Sequence, residues 1–351
     1  MAEREITGWG EILPAYNAAA GAVDTPGGCR AGRIAETSGP GAAYPHRPDS
    51  DPPHHPRIPN MIARLTLATL SLTLAAPALL AAQAPQADAC QDRIVAFADR
   101  PALASPEYFL AVNAAGGGRL TYFGAEHSSD PAHAQFAALE TEWTKLRPTV
   151  VFYEGPARGE AATAEETIRQ FGESGLARFL GRRDGARIER LEPDPRAEAA
   201  HVLQRFPPDQ VKLFYVLREI SRLRERRGLT PEQLQGAAAQ MLQQINGMMP
   251  DLAGVVGDVD ELAAAYRRTW SEPADWWRAP ARWFDPGKTS AETGGVFTNE
   301  INRASSEFRD VNMYQAILRE VRKGERVFAV VGRDHVAAQA PALRCALGEV
   351  R

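Results

Sequence analysis

Two stretches of the sequence share one form and decide the fold: LTYFGAEHSSDP, residues 120–131, and VFAVVGRDHV, residues 327–336. Each begins with a short apolar run that is typical of a buried strand, and each then continues as Gly-x-x-His. A glycine permits a sharp turn where a strand stops. The histidines that follow, His127 and His335, are therefore expected to point into the crevice at the strand ends.

Strand patterns alternate with helical patterns between these two stretches. Strands are predicted at Leu120–Phe123, Thr149–Tyr153, Arg187–Leu191 and Arg326–Val331. Helices are predicted at Ala134–Leu146, Gly172–Arg183 and near Phe308–Lys323. This alternation predicts an α/β fold, with a mostly parallel sheet flanked by helices.

Residues 203–295 have helical patterns but no strand pattern. They are predicted to form a large helical insertion between the third and last core strands. The segment holds four of the six tryptophans in the chain: Trp270, Trp276, Trp277 and Trp283. An aromatic core that packs the insertion together is favoured over a cap on a substrate cleft.

The chain before residue 90 is predicted to lie outside this fold. Residues 1–60 are rich in Gly and Pro and lack apolar periodicity, which is typical of a disordered polar segment. The three histidines in this segment are interpreted as part of that polar run rather than as metal ligands. Residues 61–89 have the basic start, apolar centre and small-residue end of a secretory signal peptide. If translation begins at Met61, residues 1–60 are an upstream extension from a misassigned start codon.

Residues 90–351 would then be the mature domain, secreted or periplasmic. No membrane span is expected after signal cleavage, because the apolar run is near the lower limit for a spanning helix and contains Pro77. Three states of Cys90 stay open. It pairs with Cys345 in an oxidising compartment, both thiols stay unpaired, or Cys90 carries a lipid, for which Ala87 is a weak match. The net charge of -4 over 351 residues does not indicate a nucleic-acid partner.

Carboxylates follow the predicted strands as the histidines do. Ligands of open α/β sheets bind at the carboxyl ends of the strands, so these side chains are expected to converge. His133 and His201 lie in helical patterns and are interpreted as surface or packing residues. The candidate site residues at the strand ends are His127, Glu154 and His335, with Glu126, Glu192 and Asp194 as further candidates.

Arg309 is the remaining candidate, at the predicted start of the last helix. A cation is unfavourable at a helix N-terminus. We therefore expect Arg309 to hold a substrate anion or a site carboxylate. A local pair with Asp310 or Glu307 is the alternative.

Together these residues resemble the TraB/GumN–Tiki–erythromycin esterase–ChaN superfamily. Its marks are two Gly-x-x-His motifs, a glutamate after the second strand and an arginine before the last strand. In this chain they fall on His127 and His335 with their glycines, on Glu154 and on Arg309. GESGLARFLGRRDGARIERLEPDPRAE, residues 172–198, also resembles the family's third unit. Residues 203–295 match no part of the family pattern, and substrate choice is expected to reside there.

The resemblance implies hydrolysis for some members: metal-dependent peptide cleavage in Tiki proteins, and metal-free ester cleavage in erythromycin esterases. Other members are implicated in haem-iron binding or have no assigned activity. The expected function is a hydrolase of peptide or ester carbonyls, and the alternatives are a haem- or iron-binding protein and a family member without activity.

The residue types allow two mechanisms. In the first, His127, Glu154 and His335 hold Mn, Co or Zn, whose bound water attacks a carbonyl. In the second, one histidine oriented by Glu154 or Glu126 is the general base, and Arg309 stabilises the oxyanion. Attack by water is expected because the sequence has no Gly-x-Ser-x-Gly motif and no plausible cysteine nucleophile.

Overall fold

The computed structural model describes residues 89–100, 103, 107–159 and 161–348. The predicted extension over residues 1–60 and the signal peptide, apart from its last residue, lie outside the described residues. In the described part of the chain, no helix is long and apolar enough to cross a membrane.

A five-stranded sheet forms the centre of the fold. The strands are β1 (Phe109–Asn113), β2 (Arg119–Ala125), β3 (Val150–Tyr153), β4 (Arg187–Arg190) and β5 (Arg326–Gly332). Their order is β1-β2-β5-β3-β4, and only β1 runs antiparallel to its neighbour. The prediction of a mostly parallel sheet flanked by helices is therefore confirmed.

Strand β1 was not predicted from the sequence. It is an edge strand of five residues in which only Leu110 and Val112 are buried. Two inward-facing residues give a pattern too short to separate from a loop. Strand β5, by contrast, lies between β2 and β3 and is buried from its second residue onward, which explains its continuous apolar run.

Helices pack on both faces of the sheet. They are α1 (Ala134–Leu146), α2 (Ala164–Asp184), α9 (Thr298–Arg322) and α10 (Arg333–Leu347), while α3 (Pro195–Leu203) packs on α9. Because side chains alternate along a strand, Phe328 packs with α1 and α2 on one face, while Val327 packs with α9 and α10 on the other.

The prediction that Arg309 begins the last helix is wrong. Helix α9 starts at Thr298, which places Arg309 near its middle, and α10 follows it in the chain. The argument from the helix N-terminus therefore does not apply. The first half of α9 escaped notice because its buried residues are largely polar, so that no apolar stripe marks them.

The insertion has a hydrophobic core of its own. Its helices are α4 (Pro208–Arg227), α5 (Pro231–Met248), α6 (Pro250–Ala253), α7 (Val259–Thr269) and α8 (Ser290–Thr293). Trp270, Trp276 and Trp283 are buried in this core, and the rings of Trp270 and Trp283 stack with centroids 4.9 Å apart. The interpretation as an aromatic core is confirmed.

Cys90 and Cys345 form a disulfide, with Cα atoms 5.5 Å apart. Of the three states left open by the sequence, the structure therefore has the bridged one, in which Cys90 has no thiol left to carry a lipid. In the chain-entropy account, a bridge across so long a loop contributes about 5–6 kcal/mol to stability.

Candidate functional site

The two Gly-x-x-His turns lie side by side because β2 and β5 are paired in parallel. Gly124 is opposite Val331, and Ala125 is opposite Gly332. Both strands end at the same edge of the sheet, as do β3 and β4. The predicted convergence of His127, Glu154, Glu192 and His335 at this edge follows from that register.

Gly124 is required by close approach of neighbouring backbone. A Cβ atom on it would lie 2.5 Å from the carbonyl oxygen of Tyr108 and 2.8 Å from Cα of Arg333. Gly332 has φ -55°, a value open to any residue. Close packing thus requires a glycine only at position 124, since a Cβ atom on Gly332 would make ordinary van der Waals contacts. Neither glycine has the left-handed backbone that glycine alone adopts readily.

His335 lies in the first turn of α10 and is completely buried. Its Nδ1 is 2.6 Å from Oδ1 of Asp310, and its Nε2 is 3.6 Å from Oε1 of Glu154. Burial lowers the pKa of His335, but the negative charges of Asp310 and Glu154 outweigh burial and hold the pKa well above its usual value. His335 is therefore an imidazolium at neutral pH.

Asp310 is held on both of its oxygens. Its Oδ1 accepts hydrogen bonds from His335 and from the side-chain amide of Gln339, at 2.8 Å, and its Oδ2 contacts Arg100. Burial raises the pKa of Asp310, but the charges of His335 and Arg100 more than offset this and lower it below the usual range. Asp310 is thus a fixed anion that holds the ring of His335.

Arg309 joins two buried glutamates. Its Nη2 is 3.1 Å from Oε1 of Glu154 and 2.8 Å from Oε1 of Glu192. The second oxygen of each carboxylate accepts a backbone N–H, from Gly332 for Glu154 (2.7 Å) and from Gly155 for Glu192 (2.8 Å). Arg309 thus binds two of the carboxylates that the sequence predicted to gather at this edge of the sheet.

The pKa values of the two glutamates are shifted in opposite directions. Burial raises the pKa of Glu154, but His335 and Arg309 outweigh burial and lower it to about 2. Burial also raises the pKa of Glu192, and Arg309 offsets that effect only in part. Two carboxylates that share one guanidinium are driven apart in pKa in this way, and Glu154 has the lower pKa.

His127 is the site histidine that reaches solvent. Its side chain is 24% exposed, whereas that of His335 is 0% exposed. Its Nδ1 is 2.7 Å from Oε1 of Glu173 in α2. Burial lowers the pKa of His127, but the hydrogen bond and charge of Glu173 raise it above its usual value overall.

The other ring nitrogen of His127 faces the site. A Cβ atom placed on Gly332 would lie 3.4 Å from Nε2 of His127 and 3.5 Å from Oε2 of Glu154. Both atoms therefore lie beside Gly332, and the charge of each side chain shifts the pKa of the other. A basic nitrogen and an ionised carboxylate oxygen that lie close together can each bind a water molecule by hydrogen bonding.

Glu173 is a site residue that the sequence reasoning missed. It follows Gly172, where α2 is interrupted with φ 60° and ψ -149°, and the carbonyl oxygen of Ser128 lies 3.0 Å from the position of a Cβ on Gly172. The interruption turns Glu173 towards His127. The available signal was a glycine inside a helical pattern, next to an acid.

Two of the further candidates lie outside this cluster. Glu126 is exposed and pairs with Arg333 at 3.0 Å, so that Glu173, rather than Glu126, orients His127. Asp194 caps α3 by accepting from the N–H of Arg196 at 2.7 Å. Glu126 pairs with the guanidinium of Arg333 at the exposed edge of the cluster, and Asp194 caps the N-terminus of α3.

The two histidines interpreted as surface or packing residues are confirmed in that role. His133 caps helix α1 by accepting from the N–H of Gln135. His201 stacks on Phe308 with ring centroids 4.7 Å apart. Neither lies among the site residues.

The insertion supplies positive charge close to the site. Arg226, in the last turn of α4, is near enough to His127 for its charge to oppose protonation of that ring. The pKa of Arg158, in the loop after β3, is lowered by burial and by the charges of Arg227 and Arg178. Arg226 therefore adds positive charge beside His127.

The predicted metal ligands are engaged in an ion-pair network. No group of three or more His, Cys, Asp or Glu side chains within the described ranges is arranged to hold a metal ion. Arg309 and the N–H of Gly332 bind both oxygens of Glu154, and His335 carries a proton. A divalent ion on His127, Glu154 and His335 would require His335 to lose that proton and Glu154 to change its partners.

No protein-family model matches this chain, and no match is found among curated proteins or among solved structures.

Proposed function

We propose that this protein is a hydrolase of the TraB/GumN–Tiki type that activates water on a peptide or ester carbonyl. One observation carries the proposal: Nε2 of His127, the solvent-reaching histidine, and Oε2 of the ionised Glu154 both face Gly332, close enough for each side chain to shift the pKa of the other. The motif residues of the superfamily resemblance are the residues that meet there.

His127 is the general base. Its Nδ1–H is held by Glu173, which directs the lone pair of Nε2 to the water position. In the first step the water oxygen bonds to the carbonyl carbon, and its proton moves to Nε2 of His127. In the second step the bond to the alcohol or amine breaks, and the leaving group takes that proton.

Glu154 positions the water and is held ionised by the groups behind it. Arg309 and the imidazolium of His335 lie on its Oε1 side and are both completely buried. Their positive charges stabilise the negative charge that develops on the substrate oxygen. Arg309 therefore acts by holding Glu154 and by its positive charge. The sequence predicted a direct contact of Arg309 with the oxyanion, but its guanidinium contacts the two glutamates instead.

A metal-dependent form of the same hydrolysis is the second candidate. The proximity of His127 to Glu154 favours it, and His335 would complete the ligand set after losing its proton. Mn, Co or Zn bound there would supply an acidified water. The two forms differ in a direct measurement, the metal content of the purified protein.

Export of the mature domain is a part of the proposal. The Cys90–Cys345 disulfide suits an oxidising compartment such as the periplasm. It is compatible with the signal peptide expected over residues 61–89.

The test is hydrolysis of p-nitrophenyl esters and peptides by protein purified from periplasm, with and without added Mn, Co or Zn. We expect His127→Gln and Glu154→Gln to lower kcat/KM by about 100-fold or more. His133→Asn is the matched control, because it changes an exposed histidine and retains a helix cap. Unchanged circular dichroism verifies that the variants fold.

Two results would contradict the proposal. Hydrolysis that is indifferent to both site variants would place the chemistry elsewhere. A preparation without hydrolysis that shows the Soret absorption of haem would favour the haem-binding alternative.

A third result would decide between the two forms of hydrolysis. Near-stoichiometric metal that is lost in His335→Ala would favour the metal-dependent form.

A further inference from the structure

The segment Cys90–Arg100, called the strap, runs along helices α9 and α10. It contains one short 3-10 turn, Gln91–Arg93. The disulfide to Cys345 anchors its first residue, and the N–H of Val95 donates to the carbonyl of Ala338 at 2.9 Å. The strap is thus attached to the helix that carries His335.

Arg100 at the end of the strap reaches the site. Its Nη2 lies 2.5 Å from Oδ2 of Asp310, and the Asp310 side chain is 0% exposed. The guanidinium also lies over the ring of Phe97, 3.5 Å from its centroid, and donates to the carbonyl of Val95 at 3.3 Å. Arg100 is therefore held by the strap in the orientation that meets Asp310.

The contact completes a chain of hydrogen-bonded groups. Arg100 holds one oxygen of Asp310, and the other oxygen holds Nδ1 of His335. Nε2 of His335 faces Oε1 of Glu154 at 3.6 Å. A carboxylate bound on both oxygens has little freedom to rotate, so that Arg100 determines the plane in which Asp310 holds the His335 ring.

We propose that Arg100 is a positioning residue of the site, and that the Cys90–Cys345 disulfide keeps it there by anchoring the strap. The catalytic part of this inference rests on the proposed hydrolase function. A purely structural strap would tie down the chain before β1 without affecting the Asp310–His335 pair. The two readings differ in what a change at Arg100 does to His335.

The first measurement does not depend on activity. The Nδ1–H proton of His335 in its hydrogen bond to Asp310 is followed by proton NMR at low field and assigned by its loss in His335→Gln. We expect the signal to shift or vanish in Arg100→Gln, to return in Arg100→Lys, and to shift in Cys90→Ser/Cys345→Ser. Gln91→Ala is the matched control, because Gln91 ties the strap to Gln315 at 2.8 Å and does not touch Asp310.

The second measurement is ester or peptide hydrolysis by the same variants. We expect Arg100→Gln to lower kcat about tenfold with little change in KM, since small misplacement of a catalytic group has effects of this order. Arg100→Lys should recover much of that loss, and Gln91→Ala should match the unmodified protein.

The outcomes separate the two proposals. An unchanged His335 signal in Arg100→Gln overturns the positioning role, as does an equal effect of Gln91→Ala. A signal that responds to Arg100 as expected, in a protein without hydrolysis, refutes the hydrolase function and leaves the positioning contact standing.

Discussion

The backbone N–H of Gly332 donates a hydrogen bond of 2.7 Å to Oε2 of Glu154, and this contact joins the end of β5 to the end of β3. It leaves Oε1 of Glu154 to Arg309 and His335, at 3.1 and 3.6 Å. The second Gly-x-x-His motif thus contributes twice to one carboxylate, through its first residue and its last. The motif therefore binds Glu154 as well as supplying a histidine.

Replacement of Arg309 should destabilise the fold strongly. In Arg309→Met, Glu154 and Glu192 remain buried together without the guanidinium that they share. Loss of one partner of a buried ion pair typically costs about 3–5 kcal/mol. Urea unfolding followed by circular dichroism measures this loss in the free energy of unfolding.

The control is Arg319→Met, at an exposed position of the same helix. Its free energy of unfolding should differ from that of the unmodified protein by no more than about 0.5 kcal/mol. Adding Glu192→Gln to Arg309→Met should recover part of the loss, and a further decrease would contradict the shared-guanidinium account.

Gly124→Ala should destabilise the junction of the two Gly-x-x-His turns. The new Cβ would meet backbone atoms of Tyr108 and Arg333 at 2.5 and 2.8 Å, and backbone yields less easily than a side chain. Overpacking of this kind costs about 1–3 kcal/mol. Thermal unfolding should show a lower Tm than in the control Gly116→Ala, whose Cβ enters open space. Equal Tm values for the two variants would rule out the close contact.

The pH dependence of hydrolysis should report His127. A general base acts in its neutral form, so kcat/KM should rise as pH increases through the pKa of His127, which Glu173 raises above its usual value. Glu173→Gln removes the carboxylate charge that outweighs burial. We expect its rising limb to move to lower pH and its plateau to fall, as the ring loses its orientation. A rising limb that stays in place in Glu173→Gln would mean that another group sets the profile.

Lys212 should make stability depend on alkaline pH. It is completely buried in the insertion, where its Nζ donates to the carbonyls of Leu252 and Val255 at 2.9 and 2.6 Å. Burial lowers the pKa of Lys212 to about 8. Between that value and the ordinary one near 10.5, the unfolded chain binds more protons than the folded one. The contribution of Lys212 to the free energy of unfolding should therefore rise with pH across this window.

The measurement compares urea unfolding of the protein and of Lys212→Met at several pH values from 7 to 11. The difference between their free energies of unfolding should change by about 2–3 kcal/mol across the window. Tyrosines titrate in both proteins and cancel in the difference. A difference that is constant with pH would show that Lys212 titrates near its ordinary value.

The strands and the edge of the sheet at which the site lies were predictable because they depend on local pattern. The apolar runs before Gly124 and Gly332 identify strands, and parallel pairing brings their ends together whatever the rest of the chain does. The aromatic core of the insertion was predictable for the same reason, since tryptophan side chains are highly buried on average, and three of the four in this segment are buried. Strand β1 and the first half of α9 were not, because their burial leaves no sufficient apolar period in the sequence.

The partners of each histidine were beyond sequence reasoning. Glu173 is 46 positions from His127, and Asp310 is 25 positions from His335. Asp310 was noticed only as a possible local partner for its neighbour Arg309. Instead, successive residues of α9 point in different directions, so that Arg309 meets Glu154 and Glu192 while Asp310 meets His335 and Arg100.

The sequence by itself determined the α/β class and the edge of the sheet where two histidines, a glutamate and an arginine meet, since strand ends and alternation are properties of consecutive residues. Only the tertiary structure decided which histidine is exposed, which glutamate has the lower pKa and which cysteines pair. Those properties depend on burial and on charges brought together from distant parts of the chain. Glu126 and Glu173 illustrate the difference. Glu126 is next to His127 in the sequence but is exposed and pairs with Arg333, whereas Glu173 is distant in the sequence and binds the ring of His127.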